Sequence, residues 1–264
     1  MHFKDKIIWI TGASSGIGAE LARKLAKQGA KLILTGRNTI TLEQVKLECT
    51  ADTGHINILQ ADLSKENELV PLADKAVNIY GVIDIAIHTA GVSQRSLAIN
   101  TSVSIDRRLM EINFFAPVTI TKALMPQFLK QGHGHVVAVS SMAGLMGFPM
   151  RTGYSAAKHA VMGFFETLQV EHTIPGFYIT IVSPGRINTP ISLSALNAAG
   201  EAYNVMDKGQ LNGIPVDECA EKILKSIRGK KRHVIIARGE RILWLLRLLI
   251  PPLYYKIARS KGMK

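Results

Sequence analysis

Tyr154-Ser155-Ala156-Ala157-Lys158 places a phenol and an ammonium four residues apart, the interval that puts two side chains on one face of a helix. A cation beside a phenol favours the phenolate and draws a tyrosine pKa down from about 10 towards working pH. A proton shuttle needs such an adjustment. The pair alone is a common coincidence, but it has company. Ser140-Ser141 closes an apolar run, and Asn113 lies in the helical segment before it. Near the start, Thr11-Gly12-Ala13-Ser14-Ser15-Gly16-Ile17-Gly18 joins an apolar run to an amphipathic segment. Its glycines permit a tight turn and close backbone approach to a pyrophosphate, which the free amides of a helix N-terminus attract.

Such groups act together only if the chain brings them together. Short Ile- and Val-rich runs, predicted as strands, cover 6–11, 31–35, 55–60, 83–88, 135–140, 178–183 and 234–237. Helical periodicity covers 16–28, 41–50, 66–80, 105–131 (with Pro117 a point of interruption), 152–173 and 217–227. Strand runs without polar alternation are those of a sheet covered on both faces. Regular alternation of strand and helix implies an α/β fold, a doubly wound parallel sheet of about seven strands with helices on both faces. The 264 residues, 47% of them hydrophobic, suit one large unit with a sizeable core. Residues 1–240 are expected to form that unit and 241–264 an extension.

The second predicted strand ends Leu34-Thr35-Gly36-Arg37. An acid at this point of a dinucleotide fold would bind the adenosine ribose hydroxyls and repel a 2′-phosphate; a guanidinium pairs with that phosphate. Arg37 therefore predicts NADP(H) in preference to NAD(H), against the alternative of a solvated arginine. Asp62-Leu63 follows the third strand, where Asp62 reads either as an adenine contact or as a helix cap. Cys49 and Cys219 are the only cysteines and have no metal-like spacing, so no metal site or disulfide framework is expected and a reducing, cytoplasmic setting fits.

These motifs, in this order, resemble the short-chain dehydrogenase/reductase family, and the resemblance runs from Lys6 to about Ala237. It implies a Rossmann-like fold and interconversion of a ketone and a secondary alcohol. Ser141 matches the family serine, thirteen residues before Tyr154, and by resemblance holds the substrate oxygen. Tyr154 donates or accepts the proton, Lys158 binds the nicotinamide ribose and depresses the tyrosine, and Asn113 places a relay water. Gly12, Ser14, Ser15, Gly16, Ile17, Gly18, Arg37, Asp62, Leu63, Ala90 and Gly91 surround the cofactor. Pro184, Gly185, Ile187 and Thr189 hold its nicotinamide end. The segment 190–213 is the family's substrate lid, here mixed apolar and flexible. A homodimer or homotetramer is also implied. The chain departs from the family at His88-Thr89-Ala90-Gly91, where Asn-Asn-Ala-Gly is usual; His88 is expected to be a satisfied structural histidine.

Net charge is +12, of which +10 falls from Arg228 onward, where eleven Lys or Arg accompany only Glu240. In the tail, Arg241-Ile242-Leu243-Trp244-Leu245-Leu246-Arg247-Leu248-Leu249-Ile250 precedes Pro251-Pro252-Leu253-Tyr254-Tyr255. This run is shorter than the roughly 20 apolar residues of a membrane span. It suits an interfacial segment on an anionic membrane, with Trp244, Tyr254 and Tyr255 at headgroup level, or else a helix packed on a partner subunit. Its aliphatic interleaving argues against nucleic acid. A hydrophobic, lipid- or steroid-like carbonyl is the expected substrate. Reduction of acyl chains on an acidic carrier protein, and a non-catalytic NADP-binding role, are the alternatives.

Overall fold

The first strand shows how the sheet is buried. In the computed structural model, which describes residues 2–49 and 55–262, β1 (Ile7–Thr11) sends Ile8 and Ile10 into one core cluster and Ile7 and Trp9 into another. That is the period-2 alternation of a strand with apolar neighbours on both sides. The elements then run α1 (Gly16–Ala26), β2 (Lys31–Thr35), α2 (Thr39–Glu48), β3 (Ile56–Ile58), α3 (Glu66–Tyr80) and β4 (Ile85–His88). After β4 come α4 (Val103–Met110), a π turn (Glu111–Phe115), α5 (Ala116–Gln131), β5 (His133–Val139), α6 (Thr152–Glu171) and β6 (Gly176–Pro184). The chain ends with the short α7 (Lys208–Leu211), α8 (Val216–Arg228), β7 (His233–Ile236), α9 (Gly239–Leu249) and α10 (Pro251–Gly262).

All pairings are parallel, in the order β3-β2-β1-β4-β5-β6-β7. Residues of α1, α2 and α8 pack one face; those of α3, α5 and α6 pack the other. The α/β sheet, doubly wound with helices on both faces and Rossmann-like, is therefore the fold. Strand order reverses between β1 and β4, and open α/β sheets bind ligands in the crevice at such a point.

The element ends differ from the sequence reading for physical reasons. β3 is only three residues long because it is an edge strand paired with β2 alone. β5 and β6 start earlier than predicted because they pair with each other from His133 and Gly176 onward. The segment predicted as one helix over 105–131 is interrupted before Pro117, by the π turn at Glu111–Phe115. Pro117 has no N–H to offer the preceding turn, and the ladder widens just ahead of it. Thr50, the expected end of the second helix, lies outside the described residues, as do Met263 and Lys264 of the tail.

The 190–213 segment is packed down rather than detached. The Leu196 carbonyl accepts from the Arg95 amide at 2.8 Å, and the Leu196 amide donates to the Ser93 carbonyl at 2.9 Å. Leu196 itself is buried with Val92, Ile105, Leu109 and Ile112. The tail folds back as a helical pair onto its own domain. Tyr254 is 3% exposed, clusters with Met142 and Met146, and donates its hydroxyl to the Gly147 carbonyl at 2.5 Å. Trp244 packs beside them, so of the three aromatics expected at a membrane surface only Tyr255 faces outward.

Two buried histidines tie stability to pH. His88 Nε2 lies 3.1 Å from Thr121 Oγ1, and His135 Nε2 lies 2.8 Å from Thr180 Oγ1. Burial pushes His88 down to about 3 and His135 down to about 4. An unfolded histidine titrates near 6.5, so below that pH the unfolded chain takes up protons that the folded chain refuses. Their stabilisation is complete above about pH 6.5 and is lost as pH falls towards the folded values. Denaturant melts between pH 6.5 and pH 5 should show a loss of roughly 1 kcal/mol per pH unit for each histidine. His135→Gln should flatten that slope; an unchanged slope would sink the assignment.

Candidate active site

The start of α6 carries Tyr154 and Lys158, and a residue far away in sequence holds it. The first N–H groups of a helix have no partner within it. Arg151, the residue before α6, supplies no side-chain cap. Instead Gln94 Oε1 accepts from the amides of Gly153 at 2.8 Å and Tyr154 at 3.3 Å. Gln94 is wholly buried, and its amide nitrogen donates to Ser96 Oγ and Thr101 Oγ1, each at 3.2 Å. Sequence reasoning missed it, because a cap supplied from outside the helix leaves no local pattern.

The two serines divide their work. Ser140 donates to the Lys158 carbonyl at 2.9 Å, fastening the end of β5 to α6. Ser141 Oγ accepts from the Ala143 amide at 3.1 Å. It lines one cavity with the Tyr154 phenol, and its hydroxyl draws the phenol's pKa down. Lys158 is 4% exposed and donates from Nζ to the Val139 carbonyl at 2.9 Å. Asn113, 1% exposed in the π turn, donates to the carbonyls of Val92 at 3.0 Å and Leu109 at 2.9 Å. Its Oδ1 accepts from the Val92 amide at 3.3 Å, so it clamps the turn to the chain that follows β4.

The electrostatics correct one expectation. Burial, the largest influence, raises the Tyr154 phenol above its ordinary value; the Ser141 hydrogen bond and the charges of Arg151 and Arg95 only partly oppose it. Lys158 Nζ stands 5.8 Å from the tyrosine ring centre, and burial pushes it down to about 8. Desolvation dominates both groups, and the charges that oppose it at Tyr154 are those of Arg151 and Arg95.

The glycine turn forms a cleft. Gly12 has φ +78°, and a Cβ there would lie 2.5 Å from the Ala90 amide nitrogen. Gly18 likewise abuts the Gly12 carbonyl and the Thr89 hydroxyl, leaving no room for a side chain. Thr89 donates to the Thr11 carbonyl at 2.7 Å, the inter-strand tie its position requires. A cavity of about 380 Å³ is lined here by Gly12, Ser14, Ser15, Gly16, Ile17, Gly18, Arg37, Asp62, Leu63, Ala90 and Gly91. Arg37 is exposed at its edge. Burial raises Asp62, but bonds from Ser64 and the Arg37 charge outweigh it and hold the carboxyl low. Asp62 lines the cleft, and its Oδ1 accepts from the Ser64 amide at 3.0 Å and hydroxyl at 2.8 Å; it does not cap α3, whose N-cap position is Lys65.

A second cavity of about 130 Å³ is lined by Ser141, Tyr154, Lys158, Pro184, Gly185, Ile187 and Thr189. Ile17, Thr89, Gly91 and Thr189 line both spaces, so the glycine cleft opens onto the phenol. His88 lines neither. Arg95, Arg151 and Arg186 also line the second cavity; they come from three separate loops, and nothing in their local sequence marks them.

The cradle is what a dinucleotide needs: glycine backbone at a helix N-terminus, with no Cβ to block it. Comparison with known proteins agrees. The family model described as short chain dehydrogenase matches residues 6–199. Dehydrogenase/reductase SDR family member 7B of Bos taurus is 36% identical over 270 residues, covering 100% of this chain and 83% of that one. Dehydrogenase/reductase SDR family protein 7-like of Drosophila melanogaster is 36% identical over 264 residues, covering 98% and 81%. Among solved structures, a short-chain dehydrogenase/reductase from Burkholderia phymatum in complex with NAD superposes with a TM-score of 0.84 at 21% identity, covering 96% of each chain. One from Burkholderia cenocepacia J2315 in complex with NADP gives 0.78 at 21%, covering 98% and 99%. With the matched family model and relatives of this similarity, the chain belongs to the short-chain dehydrogenases/reductases, oxidoreductases that bind a nicotinamide cofactor and act on CH–OH groups.

Proposed function

We propose that this chain is an NADP(H)-dependent reductase that converts a hydrophobic ketone to a secondary alcohol, with Tyr154 as proton donor. The observation that carries the reading is the buried Tyr154 phenol, which shares with Ser141 and Lys158 a cavity continuous with the glycine cleft. The cofactor fits the residues present. Gly12, Ser14, Ser15, Gly16, Ile17 and Gly18 would hold the pyrophosphate, Asp62 and Leu63 the adenine, and Ala90 and Gly91 the middle. Pro184, Gly185, Ile187 and Thr189 would hold the nicotinamide end. When bound, the nicotinamide supplies the hydride.

The protein's share is placement and protons. Ser141 holds the carbonyl oxygen beside the phenol. Because burial raises Tyr154, its proton is in place at neutral pH, as a donor in the reductive direction requires. Lys158, directed by the Val139 carbonyl, would bind the ribose hydroxyls of the nicotinamide half. Asn113, clamped to Val92 and Leu109, places the water that returns a proton towards Lys158. The preference for NADP(H) rests on Arg37 at the cleft's edge, with no acid at the end of β2.

The substrate class rests on the tail. Ile242, Leu245, Leu248, Leu249, Leu253 and Tyr255 are exposed on α9 and α10, with Arg241, Lys256 and Arg259 exposed among them. This is the composition of a helix pair resting on an anionic bilayer, from which a hydrophobic ketone could be drawn. Flotation with phosphatidylserine vesicles at low salt should carry the protein and release it at high salt. Equal behaviour with neutral vesicles would refute the contact.

Incubation with NADPH and a cell lipid extract, followed by mass spectrometry, should show a species gaining two hydrogens. Tyr154→Phe should lower that rate by about a thousandfold or more while still binding NADPH; an active variant would exclude the phenol as donor. In fluorescence titration, Arg37→Ala should weaken NADPH by about tenfold or more and leave NADH unchanged. Gln94→Met should lower kcat by about 10- to 100-fold with little change in the cofactor Kd. Gln94→Glu, which keeps the accepting oxygen, should recover part of it. Equal loss in both variants would mean that Gln94 serves stability rather than the placement of Tyr154.

A further inference from the structure

The wall of the catalytic cavity carries more positive charge than its own structure uses. Arg95 is 8% exposed, and its Nη1 donates to Ser93 Oγ at 3.0 Å and to the Gln94 carbonyl at 2.8 Å. Arg151, with 19% side-chain exposure, precedes α6 and lies over the Phe148 ring at 6.0 Å. Both guanidiniums point at one oxygen: Asp207 Oδ2 is 3.2 Å from Arg95 Nη2 and 3.3 Å from Arg151 Nη2. The other oxygen of Asp207 is taken by the Gly209 amide at 2.8 Å. Arg186 stands exposed at the rim, close enough for its charge to act on both Asp207 and Arg151.

One arginine suffices to pin the 190–213 segment through Asp207. A second, largely withdrawn from water, repels the first, and burying a charge without full compensation is costly. Glu240, which lines the catalytic cavity where Asp207 does not, accepts from the Arg186 backbone amide at 3.2 Å. Lys158, the remaining cation, is directed at the Val139 carbonyl and at the cofactor position. Positive charge beside the reacting centre is therefore left over, on planar forks suited to carboxylate or phosphate oxygens. The adjoining cavity of about 740 Å³, also lined by Arg95, Arg151 and Arg186, adds Lys208 and Arg238 and reaches Leu243 and Tyr254 of the tail.

We infer that Arg95 and Arg151, with Arg186 at the rim, form a subsite for an anionic group of the substrate, a carboxylate or a phosphate monoester. The proposal rests on the reading of Tyr154 as the reacting centre and adds the charge of the molecule brought to it. In this arrangement Asp207 shares the two guanidiniums with the incoming anion, so substrate charge and the 190–213 segment are held by the same pair of arginines. Neutral ketones lack the group that the second arginine would meet.

The test is calorimetric titration of the full chain, saturated with NADPH so that the 2′-phosphate site is filled, with inorganic phosphate in one arm and acetate in the other. One equivalent of anion should bind, and Arg151→Met should weaken it at least about tenfold, the scale of a lost charge-assisted pair. Tighter phosphate would assign a phosphate monoester and tighter acetate a carboxylate. Arg186→Met, at an exposed position, serves as a second variant should Arg151→Met fail to fold, and should weaken the same anion. In parallel, a long-chain keto acid should be reduced with a lower KM than its methyl ester, and Arg151→Met should erase that difference. No binding by the wild type, or wild-type affinity retained by both variants, overturns the subsite. Absence of any ketone reduction with anion binding intact overturns the reductase reading instead and leaves the anion site standing.

Discussion

The site depends on a backbone contact that has no space for a side chain. The turn after β1 presses Gly12 against the end of β4 so closely that a Cβ would strike the Ala90 amide. Glycine alone supplies both the positive φ and the missing carbon. Thr89 then ties the two strands from the other side by donating to the Thr11 carbonyl. Because β1 and β4 lie where the strand order reverses, this contact becomes the floor of the crevice. The ends of β5 and β6 deliver Ser141 and Pro184 to its rim, and α6 closes it with Tyr154 and Lys158.

Burial then sets the chemistry of that rim. The same sheet and helices that exclude water raise the phenol and lower the ammonium, each towards its neutral form. In a medium of reduced dielectric, the placement of a few partners has large effects. Ser141 and the arginines draw the phenol back, while Lys158 takes its direction from a backbone carbonyl. The π turn serves the same end, since it lets Asn113 bind the chain after β4 while remaining in register with α5.

The tail is part of this wall. Tyr254 donates to the Gly147 carbonyl and Arg247 to the Leu145 carbonyl, both in the loop between Ser141 and α6. The inner face of α9 and α10 therefore braces the segment that carries Phe148 and leads to Arg151. Their outer face keeps its leucines and isoleucines exposed. One short pair of helices thus joins a cavity-lining loop to an apolar, basic surface.

Much of this was legible in the residues. The strand and helix order, the glycine turn and the Tyr154–Lys158 spacing depend on local periodicity and on rotation about a single helix, which neighbouring residues dictate. The reversal of strand order that makes the crevice follows from covering a sheet on both faces. Other features depended on contacts between distant segments. Ser141 was separated from Ser140 by the three-dimensional partners of each, and the cap on α6 came from Gln94, about sixty residues away. The phenol's shift ran opposite to the one the Tyr154–Lys158 spacing suggested, because desolvation belongs to the whole enclosure and not to the pair. Arg95, Arg151 and Asp207 lie on separate loops and share no local pattern; only folding brings their charges within one cavity. The frame and the Tyr154–Lys158 pair were written in the residues, since both follow from short-range geometry. Protonation, alignment and the surplus charge beside them arose only on folding, since these follow from burial and long-range contact.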